Sequence, residues 1–91
     1  MRAVTLDVYT DPGHGWIKVP RRMLVQLGIH KQISRYSYQR GDFAYLEEDA
    51  DATLFFVTLR AAGIDPKQRV HSAERSSKIR SYASYYPHIN D

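Results

Sequence analysis

Apolar and polar side chains alternate in two short stretches near the start of the chain. Val4, Leu6 and Val8 alternate with polar residues, which is the period of a strand with one buried face. Residues 16–19 show a second strand pattern, and the turn-forming run at residues 11–15 separates the two. The pattern predicts a β-hairpin.

A short helix is expected directly after this hairpin. Pro20 suits the first turn of a helix, because its missing N–H has no intrahelical partner there. Leu24 and Leu27 share one helical face by their spacing. Gly28 is expected to end the helix in the left-handed conformation, with Ile29 folding back as the apolar residue of a Schellman cap.

A second hairpin is predicted over residues 33–48, with Arg40 and Gly41 in its turn. That register places Tyr38 opposite Phe43. Four aromatic rings then share one face of the ribbon: Tyr36, Tyr38, Phe43 and Tyr45. Two interpretations stay open, because open rings near bases stack nucleic-acid bases, whereas a small domain also needs such rings against a helix in its core.

The longest apolar stretch predicts the central helix of the core. Residues 54–62 are apolar over a wide arc of a helix, and Asp49 or Asp51 can cap its start. Gly63 is expected to end this helix, and Pro66 prevents its continuation.

The last third of the chain predicts one more strand and one more helix. Residues 68–73 are compatible with a fifth strand, and Ser76 or Ser77 then caps a final helix. The apolar stripe of that helix consists of Ile79, Tyr82, Ala83 and Tyr86. The sequence therefore predicts a single α+β domain over residues 1–91, in which two antiparallel hairpins and a candidate fifth strand pack with two or three short helices.

Composition restricts the class of protein. The chain has 91 residues, a net charge of +3 and no Cys, which excludes disulfides and Cys-based metal sites and fits the cytoplasm as its expected compartment. No apolar run approaches the roughly 20 residues of a membrane span, and Asp7 lies where a signal peptide would be apolar. Bases exceed acids in residues 1–41 and 66–91, and acids exceed bases in residues 42–65. Either these charges compensate within the fold, or a basic face meets nucleic acid or an acidic protein.

Candidate catalytic and metal-binding groups are few. The four histidines lack the spacing of a metal site, and the best pair, Asp11 with His14, lies in a turn-forming run. The acidic residues at 47–51 are more simply explained by a helix start than by acid–base chemistry. We therefore expect a non-enzymatic protein without metal or cofactor.

The C-terminal segment offers a candidate partner-binding surface. It interleaves cations, hydroxyls and flat rings, a combination that is favoured at protein interfaces and at phosphate sites. The expected anchors are Arg75, Lys78, Arg80 and Tyr82, with Trp16 next. The competing interpretation is a helix with a solvated basic edge.

Two resemblances extend these expectations. Residues 16–29 resemble the strand–Pro–helix–Leu-Gly-Ile segment of AbrB/SpoVT-type swapped-hairpin transcription factors, and Gly41-Asp42 resembles the second half of that pattern. In that family the Gly-Asp pair follows Leu-Gly-Ile after only a few residues, whereas here residues 33–39 intervene. This resemblance implies a domain-swapped, DNA-binding dimer.

The whole chain also resembles small uncharacterised proteins that are encoded by bacteriophages and other mobile elements. The segments that carry this similarity are residues 11–16, 36–42, 45–49 and 75–82. The resemblance implies a phage accessory protein, and inhibition of a host defence such as a CRISPR effector is one activity that such an origin suggests. Two functions are therefore expected: blocking of a host protein or nucleoprotein complex, or alternatively direct nucleic-acid binding.

Overall fold

The computed structural model describes residues 2–87 and contains one six-stranded mixed sheet with two α-helices. The α+β class that the sequence predicts is confirmed. Within the described residues, no helix is long and apolar enough to cross a membrane. In chain order the elements are β1 (Arg2–Thr10), β2 (Gly15–Pro20), α1 (Arg21–Gln26), β3 (Tyr38–Arg40), β4 (Phe43–Glu47), α2 (Ala50–Ala61), β5 (Ile64–Ser72), a 3-10 turn (Lys78–Ser81) and β6 (Ala83–Ser84).

Both predicted strand pairs form, but they belong to one continuous sheet. The strand order is β5-β1-β2-β4-β3-β6, so β2 joins the two pairs by pairing with β4. β5 pairs in parallel with the whole of β1, from Arg2 opposite Ile64 to Thr10 opposite Ser72. This strand begins before the expected residue 68 and includes Pro66, which is tolerated because β5 lies at the edge of the sheet.

The turn of the second hairpin lies one residue later than expected. Arg40 pairs with Phe43, so Gly41 (φ 59°) and Asp42 form the turn, and Tyr38 lies opposite Tyr45 instead of Phe43. Each pair thus shifts by two residues, which keeps the aromatic rings on their predicted face. However, β3 begins only at Tyr38, so Tyr36 lies outside the ribbon.

The predicted C-terminal helix is wrong. Only a 3-10 turn forms, and the Ser77 hydroxyl caps it by accepting a hydrogen bond from the Ile79 N–H (3.1 Å). The chain then runs extended and pairs with β3, and the Tyr85 N–H donates to the Ser37 carbonyl (2.8 Å). Ile79 is buried as expected, but strand alternation buries Tyr85 and leaves Tyr86 60% exposed.

The two helices end as the sequence predicts. At the end of α1, Gly28 has a φ of 74° and the Ile29 N–H donates to the Leu24 carbonyl (3.0 Å), which completes a Schellman cap. Gly63 ends α2 with a φ of 79°. Both glycines adopt the left-handed conformation that side chains disfavour.

The main core lies between α2 and one face of the sheet. Ala52, Phe55 and Leu59 of α2 are buried against strand residues such as Leu6 and Leu46. Not every apolar residue of α2 packs against the sheet: Val57 points away from it and is 58% exposed. α2 is therefore the core helix, although only one of its sides is buried.

A buried carboxylate connects α2 to the segment between α1 and β3. The side chain of Asp51 accepts hydrogen bonds from the Ser34 N–H (3.0 Å), the Ser34 hydroxyl (2.7 Å) and the Ser37 hydroxyl (2.6 Å). The Ser37 oxygen in turn accepts from the Glu47 N–H of β4 (2.9 Å). The expected capping role is wrong, since Asp49 occupies the N-cap without a side-chain bond and Asp51 binds the serines instead.

Leu59→Ala is expected to lower the free energy of unfolding by about 2–4 kcal/mol, because it removes buried apolar surface and leaves a cavity. Val57→Ala on the same helix is the control and should change it by no more than about 0.5 kcal/mol. Urea denaturation of both variants measures the difference, and a loss below about 1 kcal/mol for Leu59→Ala would contradict the assignment of α2 as the core helix.

Asp51→Ala is expected to destabilise the protein by about 2–4 kcal/mol, because three donors lose their common acceptor in a buried site. Asp49→Ala is the matched control, since its side chain makes no capping bond, and should cost less than about 0.5 kcal/mol. The same denaturation experiment checks this, and equal effects of the two variants would argue against the network.

Candidate functional site

The two faces of the sheet differ in chemistry. Val8 pairs with Ile17 on the face that packs against α2, whereas the next pair, Tyr9 with Trp16, points to the opposite side. We call this opposite side the aromatic face. It carries Asp7, Tyr9, Trp16, Lys18, Tyr38, Arg40, Phe43, Tyr45 and Glu47.

The C-terminal segment 77–82 folds over part of the aromatic face. Ile79 is buried together with Trp16 and Tyr45 in a second, smaller core. The ring of Tyr82 lies 5.1 Å from the ring of Tyr45. The rings of the second hairpin therefore pack against this segment, and the expectation that they meet the helix carrying Phe55 is wrong because α2 lies on the other face.

Asp11 fastens this segment to the β1–β2 turn. Its carboxylate accepts hydrogen bonds from the Ser77 N–H (2.8 Å) and from Arg80 Nε and Nη2 (2.7 and 2.8 Å), as well as from two N–H groups of its own turn. The guanidinium of Arg80 also lies 5.3 Å above the ring of Trp16. These hydrogen bonds, that of Arg80 first and that of Ser77 next, hold the pKa of Asp11 well below its ordinary value of 3.8.

A first depression on the aromatic face is lined by tyrosines and lysines, and we call it the tyrosine cleft. It has a volume of about 180 Å³ and is lined by Tyr9, Lys18, Tyr45, Ser77, Lys78, Ile79 and Tyr82. Burial raises the pKa of the Tyr45 hydroxyl, and the neighbouring hydroxyls of Tyr82 and Tyr9 act in the same direction. The surroundings of Tyr45 therefore favour the protonated form of its hydroxyl.

Three cations surround the tyrosine cleft. Lys18 Nζ lies 4.2 Å from the ring centre of Phe43, and the Arg40 guanidinium lies 5.1 Å from that of Tyr82. Lys78 lines the cleft itself. Among residues 2–87, no carboxylate lies within 4.0 Å of Lys18, Arg40 or Lys78, in contrast to Arg69, which binds Asp7 (2.7 Å). The cleft therefore carries positive charge that the described part of the chain does not neutralise by contact.

A second depression lies beside Arg80, and we call it the tryptophan groove. It has a volume of about 280 Å³ and is lined by His14, Trp16, Tyr36, Tyr38, Glu47 and Arg80. The ring of Tyr36 is 79% exposed, while Trp16 and Tyr38 meet edge to face at 6.3 Å. Both depressions border on segment 77–82, because Lys78 lines the cleft and Arg80 lines the groove.

The structure separates the predicted stacking residues. Of the four rings, Tyr36 is open to solvent, Tyr38 and Phe43 are half-buried, and Tyr45 is buried. Only Tyr36 among them presents most of its ring to a ligand.

The predicted partner-binding residues also divide. Lys78 and Tyr82 line the tyrosine cleft, and Arg75 is exposed in the preceding loop. Arg80 is bound by Asp11, so the expectation of a free basic edge does not hold for it. Trp16 is only 2% exposed and supports Arg80 from below instead of presenting its own surface.

Sequence reasoning missed two residues of the cleft, Tyr9 and Lys18. The strand alternation contained the signal, since Lys18 lies between the core residues Ile17 and Val19, and Tyr9 follows Val8 of the core face. Asp11 and His14, the best candidate pair in the sequence, have separate partners in the structure: Asp11 binds Arg80, and His14 lies 3.8 Å from Glu48. No three His, Asp or Glu side chains within residues 2–87 come together as a metal site, and His88 lies outside the described residues.

Comparison with known proteins adds no relative. No family model matches the chain, and neither a curated protein nor a solved structure shows significant similarity to it. These comparisons test neither the AbrB/SpoVT-type resemblance nor the resemblance to phage-encoded proteins, and both stay predictions. The swapped dimer that the first resemblance implies also stays a prediction.

The lowered pKa of Asp11 makes the stability of the fold depend on pH. Because folding lowers this pKa, the contribution of Asp11 is complete above the unfolded value near 4 and is lost as the pH falls toward the folded pKa. Thermal melts from pH 7 to pH 2 should show the melting temperature falling below about pH 4, and Asp11→Asn should lessen that fall.

Asp7 provides a second test of the same kind, because hydrogen bonds from Arg69 and then His71 also lower its pKa. Asp7→Asn should therefore remove a further part of the same pH dependence. An Asp11→Asn variant with an unchanged acid transition would contradict the role of the carboxylate.

Proposed function

We propose that the protein is a non-enzymatic binding protein for single-stranded nucleic acid, either free or within a nucleoprotein complex, and that the aromatic face is the surface it uses. The observation that supports this proposal best is the set of three cations around the tyrosine cleft. Lys18, Arg40 and Lys78 have no carboxylate within 4.0 Å in the described part of the chain. Phosphates supply the negative charge that such a group of cations attracts.

The hydrogen-bond donors that line the cleft suit a phosphate backbone, in addition to the positive charge of the cleft. Lysines and tyrosine hydroxyls donate hydrogen bonds to phosphate oxygens. Tyr9 and Tyr82 line the cleft beside Lys18 and Lys78, so that donors of both kinds are present. The cleft therefore suits the backbone of a strand, and contacts of this kind position a nucleic acid without reading its sequence.

The adjacent tryptophan groove favours single strands over duplexes. Tyr36 presents an open ring, and stacking on an aromatic side chain requires a base that is free of its own neighbours. The two depressions border on the same segment, so one strand can place a phosphate at the cleft and a base at the groove.

The resemblance to phage-encoded proteins suggests where such binding would act. A host defence complex that contains nucleic acid, such as a CRISPR effector, exposes phosphates and unpaired bases that this surface could occupy. Blocking a host protein through an apolar interface is the alternative, and it differs in its response to salt. Counterion release makes nucleic-acid binding steeply salt-dependent, whereas an apolar interface loses little.

The test measures fluorescence anisotropy of a labelled 20-nucleotide single strand across a salt series. Lys18→Gln, Arg40→Gln and Lys78→Gln are combined in one variant. For a single strand, each phosphate contact contributes about −0.7 to the slope of log binding constant against log salt concentration. The triple variant should therefore bind more weakly, and the magnitude of its slope should be smaller by about 2.

The matched control removes three exposed cations outside the aromatic face: Arg22→Gln, Lys31→Gln and Arg60→Gln. It has the same net charge as the test variant and should keep most of the affinity and slope. Absence of salt-dependent binding in the wild type, or an equal loss in both variants, would contradict the proposed surface.

A further inference from the structure

The tryptophan groove contains a carboxylate without a cationic partner. Glu47 lies at the end of β4, opposite Trp16. Its Oε1 accepts a hydrogen bond from the Asp49 N–H (3.1 Å), and no cation lies within 4.0 Å of it among residues 2–87. Arg80, the base in the same groove, is already bound by Asp11. Glu47 therefore has acceptor capacity left for a ligand, since a carboxylate accepts about four hydrogen bonds.

The exposed ring beside Glu47 is attached to a fixed backbone. The Tyr36 N–H donates to the Ser34 hydroxyl (3.2 Å), and Ser34 and Ser37 on either side both bind Asp51. The same Ser37 hydroxyl accepts from the Glu47 N–H. One network around the buried Asp51 thus binds the backbone N–H groups of both Tyr36 and Glu47, although Tyr36 itself is 79% exposed.

The volume of the groove restricts the size of its ligand. At about 280 Å³ it lies just below the range of about 300–1,000 Å³ that is typical of sites for drug-sized molecules. A single base that stacks on the lining ring of Tyr36 fits this space better than a longer stretch of strand.

We infer that the tryptophan groove selects guanine: the base stacks on Tyr36, and Glu47 accepts hydrogen bonds from its N1–H and its N2 amino group. This inference rests on the proposed binding of single strands. Guanine carries two adjacent donors on its Watson–Crick edge, which match the two oxygens of a carboxylate. The other three bases place an acceptor beside their donor, and that acceptor would face a carboxylate oxygen.

An arginine side chain of a partner protein also has two adjacent donors. It brings a positive charge, however, to a face where Arg80 lines the same groove and three further cations surround the neighbouring cleft. A neutral base satisfies Glu47 without that repulsion. The charge of the aromatic face therefore favours guanine over an arginine side chain.

The test compares labelled 10-nucleotide oligouridine strands that carry guanosine, inosine, adenosine, cytidine or uridine at one central position. Wild-type protein should bind the guanosine strand about tenfold more tightly than the uridine strand, as expected for a bidentate contact to a base. Inosine lacks the N2 amino group and should lose most of this preference.

Glu47→Gln should reduce the preference for guanosine to less than about twofold, while its side-chain oxygen can still accept from the Asp49 N–H. Glu48→Gln is the matched control, because Glu48 neighbours His14 but does not line the groove. Tyr36→Ala should weaken binding to all five strands about equally, and thermal melts verify that each variant is folded.

Each outcome bears on one claim. Equal, salt-dependent binding of all five strands by the wild type would overturn the guanine assignment and leave the proposed function standing. No salt-dependent binding of any strand would overturn the proposed function itself. A guanosine preference that survives Glu47→Gln would overturn the role of Glu47. A labelled arginine-rich peptide is titrated in parallel, and if Glu47→Gln weakens only the binding of this peptide, the groove is assigned to a protein partner instead.

Discussion

The buried carboxylate of Asp51 is the interaction on which the functional surface depends. It lies on the α2 side of the sheet. Its partners Ser34 and Ser37 lie on either side of Tyr36, which lines the tryptophan groove on the opposite face. Ser37 accepts a hydrogen bond from the Glu47 N–H at the end of β4, and Ser34 accepts one from the Tyr36 N–H. A polar group in the core thus adds hydrogen bonds to a loop whose Ile29 and Ile33 are also buried in the core.

Asp11 has the corresponding function at the other end of the aromatic face. The segment 77–82 makes one 3-10 turn, which is too short to be stable alone. The Asp11 carboxylate stabilises this turn by accepting hydrogen bonds from the Ser77 N–H and from Arg80. The side chain of Ile79, which belongs to the segment, is buried against the sheet. Two carboxylates therefore attach irregular segments to a regular sheet, and both candidate ligand sites lie where those segments meet it.

The sequence predicted those elements well that depend on neighbouring residues. It predicted less well those elements that depend on pairing between segments far apart in the chain. Strand alternation in β1 and the glycine stops of both helices are local, and all three were predictable. The C-terminal stripe had a helical period, but pairing with β3 and the burial of Tyr85 favoured an extended chain. The functions of Asp11 and Asp51 were likewise hidden, because their partners lie up to 69 residues away in sequence. Tyr36 was identified for its ring, but no pattern showed that it would be the open one.

The parallel pairing of β1 with β5 has a consequence for the order in which the protein forms. β1 can pair with β2 as soon as both have been synthesised, but its other edge finds its partner 62 residues later. At a synthesis rate of about 5–20 residues per second, that edge stays open for roughly 3–12 seconds on the ribosome. During this interval the alternating strand is exposed to pairing with other chains. The first strand made is thus among the last to be completed, and non-local closure of this kind is expected to slow folding relative to a helical domain of equal length.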